Sequence, residues 1–150
     1  MAEYDSTVRP EINVVPHDSL VMSFDHFCEK FRQYTAFSNF GVKLTYADLY
    51  KQVKSLAAYL QQDLGIKKGD RVAIMMPNLL QYPIAIYAAL SVGAIVVNIN
   101  PLYKPRELKH SLDDSGAETI FVCDNFADTL EKVYADTKIK NVTMTATGLP

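Results

Sequence analysis

The residues of this chain that could do chemistry are few and widely spaced. Asp113 and Asp114 are adjacent acids, a pair that could hold a metal ion or act in acid–base catalysis. Neighbouring residues on a helix point about 100° apart, so these two carboxylates do not share a ligand easily. They also stand just before a Ser-Gly pair, where a helix is predicted to end. A solvated helix terminus is therefore the better interpretation.

The histidines and serines indicate no active site either. His17 lies in a polar leader, His26 on the polar side of a predicted helix, and His110 beside a lysine, so they suggest no metal-ligand cluster. The sequence contains no Gly-x-Ser-x-Gly motif, and Ser111 and Ser115 have no recognisable base. We therefore assign no catalytic, cofactor-binding or metal-binding residue to this chain.

The turns after the first two predicted core strands lack the residues that cradle phosphate. Dinucleotide-binding folds place glycines between a strand and its helix, so that backbone amides can approach a pyrophosphate. The turn over 76–81 reads Met-Pro-Asn-Leu-Leu-Gln and the turn over 100–104 reads Asn-Pro-Leu-Tyr-Lys, both without glycine. The sequence argues against a dinucleotide-dependent oxidoreductase and predicts that these turns cannot grip a triphosphate by backbone alone.

Composition is typical of a single globular domain. The chain has 150 residues, of which 49% are hydrophobic and 21% charged, and a net charge of −2. No basic stripe for nucleic acid is present, and the longest apolar run falls short of a membrane-spanning helix. Cys28 and Cys123 are isolated, which is typical of a reducing cytosol and of small buried side chains.

The apolar pattern predicts an α/β fold with a parallel sheet. Residues 71–122 read as strand, helix, strand, helix, strand, which builds a Rossmann-like or flavodoxin-like three-layer subdomain from successive β-α-β units. We expect a flexible leader over 1–19 and one α/β subdomain over 20–150. The predicted elements are a helix over 23–33, a small hairpin over 36–44, a helix from residue 45, strands over 71–75, 94–99, 118–123 and 142–145, and helices over 82–92, from 105 to 116 and from about 125. The strand order is not readable from the sequence.

Local signals refine these elements. Thr45 and Asp48 form a capping-box pattern, and Gly65 stands where that helix should end. The strand over 94–99 is apolar on both sides of its alternation, which predicts helices over both of its faces. Asn125 and Asp128 suggest a capping pair for the last helix. Lys104 occupies a predicted N-cap although lysine has no acceptor oxygen.

Several of these segments resemble the N-terminal part of the adenylate-forming, acyl-activating enzymes, most closely the long-chain fatty acid–CoA ligases. The resemblance covers about residues 43–145 and is carried by Leu-Thr-Tyr-Ala-Asp-Leu at 44–49, Met-Met-Pro-Asn-Leu-Leu-Gln-Tyr-Pro at 75–83, and Val-Asn-Ile-Asn-Pro-Leu-Tyr-Lys-Pro-Arg-Glu-Leu at 97–108. Lys104 departs from the family pattern, which often has threonine there.

The resemblance implies a reaction that these residues do not carry by themselves. Such enzymes join a fatty acid to AMP with ATP and Mg²⁺ and then transfer the acyl group to coenzyme A. The family's phosphate loop, adenine motif, hinge aspartate and late lysine are all missing here, so we expect the active-site regions to lie elsewhere and this chain to be inactive alone, with no cofactor bound. The resemblance further implies a cytoplasmic enzyme that forms homodimers and associates loosely with the inner membrane.

Two functions follow as alternatives. The favoured one is the leading subdomain of a long-chain fatty acid–CoA ligase, truncated before the active site, which supplies a rigid wall for the rest of the polypeptide and exposes an apolar patch where the two meet. The alternative is a free-standing, flavodoxin-like binding or interaction module that uses the loops over 77–81 and 100–104, with Tyr103, as a ligand site.

Overall fold

The computed structural model describes residues 19–147. Within them, a parallel four-stranded sheet lies between two sets of helices, and a two-stranded hairpin stands near the N-terminal end. The predicted α/β class, with an N-terminal helix and hairpin, is confirmed. In chain order the elements are α1 (Leu20–Lys30), β1 (Thr35–Asn39), β2 (Val42–Thr45), α2 (Tyr46–Gln62), β3 (Arg71–Met75), α3 (Gln81–Ser91), β4 (Ile95–Asn98), α4 (Pro105–Ser115), β5 (Thr119–Cys123), a short 3₁₀ turn (Asp124–Phe126), α5 (Ala127–Tyr134) and β6 (Asn141–Thr145).

The sheet order is β4-β3-β5-β6, with every neighbouring pair parallel. From β3 the chain passes through α3 to β4 on one side, then returns through α4 to β5 on the other side. Because such crossovers are right-handed, this reversal puts α3 and α4 on opposite faces of the sheet. The strand order therefore reverses between β3 and β5.

Two apolar layers hold the sheet. Helices α1, α2 and α3 cover the face that carries Val72, Ile74 and Phe121. Helices α4 and α5 cover the opposite face, where Ile120 and Val122 are fully buried. The two central strands are thus enclosed on both sides, which is the usual condition of a parallel strand.

The first helix begins earlier than predicted. It runs from Leu20 to Lys30 rather than over 23–33, because the side chain of Ser19 accepts a hydrogen bond (3.1 Å) from the amide of Met22 and caps the helix. Apart from Ser19, the predicted leader over 1–19 lies outside the described residues.

The hairpin turn contains a strained residue. Phe40 and Gly41 link β1 to β2 with φ angles of 47° and 81°, the arrangement of a type I′ turn. Glycine adopts such angles freely, whereas a residue with a Cβ does so at a cost. The Phe40 side chain is 89% exposed, so packing does not offset that cost.

The capping box of α2 is confirmed in its main part. The hydroxyl of Thr45 accepts from the amide of Asp48 at 3.1 Å and donates to the Asp48 carboxylate at 2.6 Å. The helix reaches its C-cap at Asp63, and Gly65 follows two residues later with a φ of 66°.

One prediction about a helix cap was wrong. Asn125 does not cap α5, because it lies inside the 3₁₀ turn and Phe126 stands at the N-cap. The strand over 94–99 is packed on both faces as predicted, since Val96 contacts one core layer and Val97 the other. It is nevertheless the outer strand β4, and Ile95 is 51% exposed.

Candidate functional site

The carboxyl ends of β3 and β5 form the first candidate site. In open parallel sheets, ligands bind outside the carboxyl ends of the strands where the strand order reverses. Here the loop after β3 is held by the hairpin, since the side-chain amide of Asn39 donates to the carbonyl of Asn78 at 2.6 Å. On the β5 side, the Asp124 carboxylate accepts from the amide of Asn125 at 2.8 Å.

The helix that starts at this point offers few free amides. An anion at a helix N-terminus is held by backbone N–H groups of the first turn. In α3, Pro83 has no N–H, and the amide of Tyr82 already donates to the carbonyl of Leu79 at 3.1 Å. The first turn of α3 therefore offers few free backbone donors to an anion.

The start of α4 is no better suited to an anion. Pro105 supplies no N–H at the first position. The carboxylate of Glu107 accepts from the amide of Lys104 at 2.8 Å, which is one half of a capping box and places a negative charge at the helix start. Lys104 cannot complete the other half, because an ammonium only donates.

The residues considered for chemistry are not brought together. Asp113 pairs with Lys109 one turn away at 2.5 Å, a contact that raises the pKa of the lysine. Ser115 donates to the carbonyl of Leu112 at 3.2 Å, as a helix-end serine does. Asp114 and His110 are exposed on α4, and His17 lies outside the described residues. Among residues 19–147, no group of His, Cys, Asp and Glu could hold a metal ion.

Both cysteines are buried and free, as predicted. Burial, with the nearby Asp25 carboxylate, raises the pKa of the Cys28 thiol to about 11. Burial also raises the pKa of Cys123, which donates to the Asp124 carboxylate at 3.3 Å. Thiolates are the reactive form of cysteine, so neither side chain suits nucleophilic chemistry near neutral pH.

Sequence reasoning missed a wide groove beside the last strand of the sheet. A groove of about 630 Å³ lies between α2 and β6, on the sheet face that carries Phe121. Its walls are mainly apolar, with polar and charged side chains of α2 among them. The sequence carries no local signal for this groove, because nothing in it says which strand lies opposite α2. The lining residues include Leu56, Tyr59, Met76, Ile84, Phe121 and Met144, with Asp48 and Lys51 among the charged ones.

A second groove, of about 380 Å³, lies on the other face of the same strand. It runs between α5 and β6, and its lining includes Leu130, Tyr134, Val142 and Met144. Met144 therefore borders both grooves, and its side chain is 64% exposed. No helix of the described part of the chain, residues 19–147, is long and apolar enough to cross a membrane.

Comparison with known proteins gives these features a context. A profile of the AMP-binding enzyme family matches residues 24–148. The long-chain fatty acid–CoA ligase of Salmonella typhimurium is 51% identical over 97% of this chain, and that of Yersinia pestis is 48% identical over 99%. The chain covers 26% of each of these relatives, so it spans about a quarter of their length.

Solved structures agree with the fold. A long-chain fatty acid–CoA ligase from Archaeoglobus fulgidus superposes with a TM-score of 0.78 at 32% identity, over 85% of this chain and 27% of that one. A fatty acyl-CoA synthetase from Mycobacterium tuberculosis also gives 0.78, at 26% identity, over 83% of this chain and 26% of the other.

Proposed function

Because this chain belongs to the AMP-binding enzyme family, we propose that it is the N-terminal part of a long-chain fatty acid–CoA ligase. The complete enzyme activates a fatty acid with ATP to acyl-AMP and transfers the acyl group to coenzyme A. The observation that carries the proposal is the 51% identity to such a ligase over 97% of this chain, at a coverage of only 26% of the ligase.

In this proposal the chain has a structural role. The turns after β3 and β4 contain no glycine, and the first turns of α3 and α4 offer few free amides. Neither cysteine suits nucleophilic chemistry near neutral pH. In this proposal the chain therefore does not itself hold a triphosphate or activate a carboxylate. Its contribution is a rigid three-layer wall, and the remaining polypeptide supplies the residues that bind ATP, Mg²⁺, fatty acid and coenzyme A. We extend the proposal to a cytoplasmic enzyme that forms homodimers and associates loosely with the inner membrane.

The free-standing binding module is not favoured. The relatives that match this chain over nearly its whole length are ligases about four times as long. The loops that such a module would use offer few free amides.

A chimera tests the proposal. This chain replaces the matching segment of the Salmonella typhimurium ligase, and palmitoyl-CoA formation from palmitate, ATP and coenzyme A is measured. The chimera should be active, whereas the same ligase with the segment deleted should be inactive. A folded chimera that forms no acyl-CoA would contradict the proposal.

The structural role has its own test. The isolated chain should show no fatty-acid-dependent exchange between ATP and pyrophosphate, because that exchange requires acyl-AMP formation. Exchange above a heat-inactivated control would overturn the claim that the chain is inactive alone.

A further inference from the structure

A polar cavity of about 270 Å³ opens at the amino ends of β3, β5 and β6. It lies at the end of the sheet opposite to the turns over 76–81 and 100–104. Gly65 and Gly116, which follow the last turns of α2 and α4, form part of its wall. The volume is small for a ligand site, so the cavity suits a molecule of a few non-hydrogen atoms.

The guanidinium of Arg71 is the unusual group in this cavity. In the described part of the chain it forms no ion pair and no hydrogen bond, although two carboxylates line the same cavity. Both carboxylates are engaged elsewhere: Asp70 accepts from the amide of Lys67 at 2.7 Å, and Glu118 accepts from the ammonium of Lys140 at 2.7 Å. The N–H donors of Arg71 therefore remain available to another acceptor.

A buried hydroxyl adds a second donor. Thr119 lines the cavity, and only 1% of this residue is exposed. Its oxygen accepts from the side-chain amide of Asn141 at 3.2 Å. A threonine hydroxyl also donates one hydrogen bond, and the described residues show no acceptor for that proton. Because a buried donor without an acceptor costs free energy, an acceptor in the cavity would stabilise the chain.

The nearby helix ends give Arg71 a competing role. A helix C-terminus carries a partial negative charge, which attracts basic side chains such as Arg71 and Lys140. That attraction accounts for the presence of the two cations, but it makes no use of the Thr119 hydroxyl. It also predicts that Arg71 affects stability without affecting the binding of any ligand.

We propose that this cavity binds a small carboxylate, held by the guanidinium of Arg71 and the hydroxyl of Thr119. A carboxylate only accepts hydrogen bonds, and its two oxygens match the planar fork of arginine. Because Arg71 is exposed, water screens the pair and binding is expected in the millimolar range. The site lies far along the sheet from the strand–helix turns, so it goes beyond the proposed ligase function and does not depend on it.

An amide NMR titration of the chain with sodium acetate tests the proposal. The pH is held constant, and sodium chloride keeps the ionic strength constant. The amide resonances of residues 65, 71, 118–119 and 140–141 should shift and saturate, while those of 77–81 and 100–104 should stay in place. Shifts that grow linearly with acetate and never saturate would overturn the proposal.

Three variants identify the donors. Arg71→Gln should abolish the saturable shifts, because it removes the charge and the fork. Thr119→Val keeps the shape of the side chain and should raise the dissociation constant for acetate about fivefold, the effect of one net hydrogen bond. Lys67→Gln is the matched control, since Lys67 is an exposed cation near the cavity that does not line it. It should leave the dissociation constant unchanged.

Circular dichroism melts separate loss of binding from loss of fold. A folded Arg71→Gln variant that still saturates at the parent's acetate concentration would contradict the proposal, as would equal affinity in the parent and Thr119→Val. If Arg71→Gln only lowers the melting temperature and the parent shows no saturable shift, Arg71 serves the helix ends alone and the proposal is wrong. None of these results bears on the activity of the chimera.

Discussion

Phe40 gives the sharpest prediction about stability. Its φ of 47° lies in the left-handed region, where the backbone conformation costs a residue with a Cβ about 1–2 kcal/mol. Because the side chain is 89% exposed, its replacement sacrifices almost no apolar burial. Asparagine tolerates this conformation and precedes glycine in the most favoured type I′ turns.

Phe40→Asn should therefore raise the free energy of unfolding by about 1 kcal/mol, the lower end of that range because asparagine retains part of the cost. For a chain of this size, that gain corresponds to a rise in melting temperature of roughly 2–4 °C. Urea denaturation followed by circular dichroism gives the free energy, and a thermal melt gives the temperature.

Phe40→Ala is the control. It removes the exposed ring but keeps a Cβ in the same backbone conformation, so its stability should stay close to that of the parent chain. If the alanine and asparagine variants gain equally, the exposed ring and not the backbone is the source of the cost. If the asparagine variant gains nothing, the strain argument is refuted.

Three further substitutions probe the core and the turns. Gly93→Ala should destabilise the chain by about 2 kcal/mol in urea denaturation, because φ is 77° and the new Cβ would lie 3.0 Å from Lys68 Cγ. Gly116→Ala is the control: φ is 64° with open space around the new Cβ, so the substitution should cost about 1 kcal/mol. An equal loss of unfolding free energy in the two variants would show that the Lys68 contact is irrelevant. Cys28 should make the free energy of unfolding fall as pH rises from 9 to about 11, because its folded pKa of about 11 lies above its ordinary value of 9.0 and the folded state keeps the proton. Cys28→Ala should flatten that fall in urea midpoints measured across this range, and an unchanged slope would contradict the assignment.

Sequence reasoning succeeded where a local signal has one meaning. Thr45 followed by Asp48 located the start of α2, and Gly116, with φ 64°, closed α4 as predicted. The start of α1 could also have been predicted, because Ser19 is a good N-cap residue. The helical spacing of the aromatic side chains indicated a later start instead. The resemblance to the ligase family rested on similarly local strings.

It reached its limit where the outcome depends on distant neighbours. The apolar run around Val96 predicted a strand packed on both faces, and both core layers contact it. Its position at the edge of the sheet comes from its pairing with β3, which the local sequence does not indicate. Asn125 is a good capping residue by type, yet the chain leaves β5 through a 3₁₀ turn that moves the helix start past it.

By itself, the order of residues determined a parallel α/β subdomain, the absence of glycine from its strand–helix turns, and a resemblance to the fatty acid–CoA ligases. These properties are encoded in hydrophobic periodicity and short sequence motifs, which depend only on residues close together in the chain. The tertiary structure decided the strand order, the strain at Phe40 and the two grooves that meet at Met144. Those depend on which strands pair across tens of residues, and the pairing is set by the packing of whole layers rather than by any local pattern.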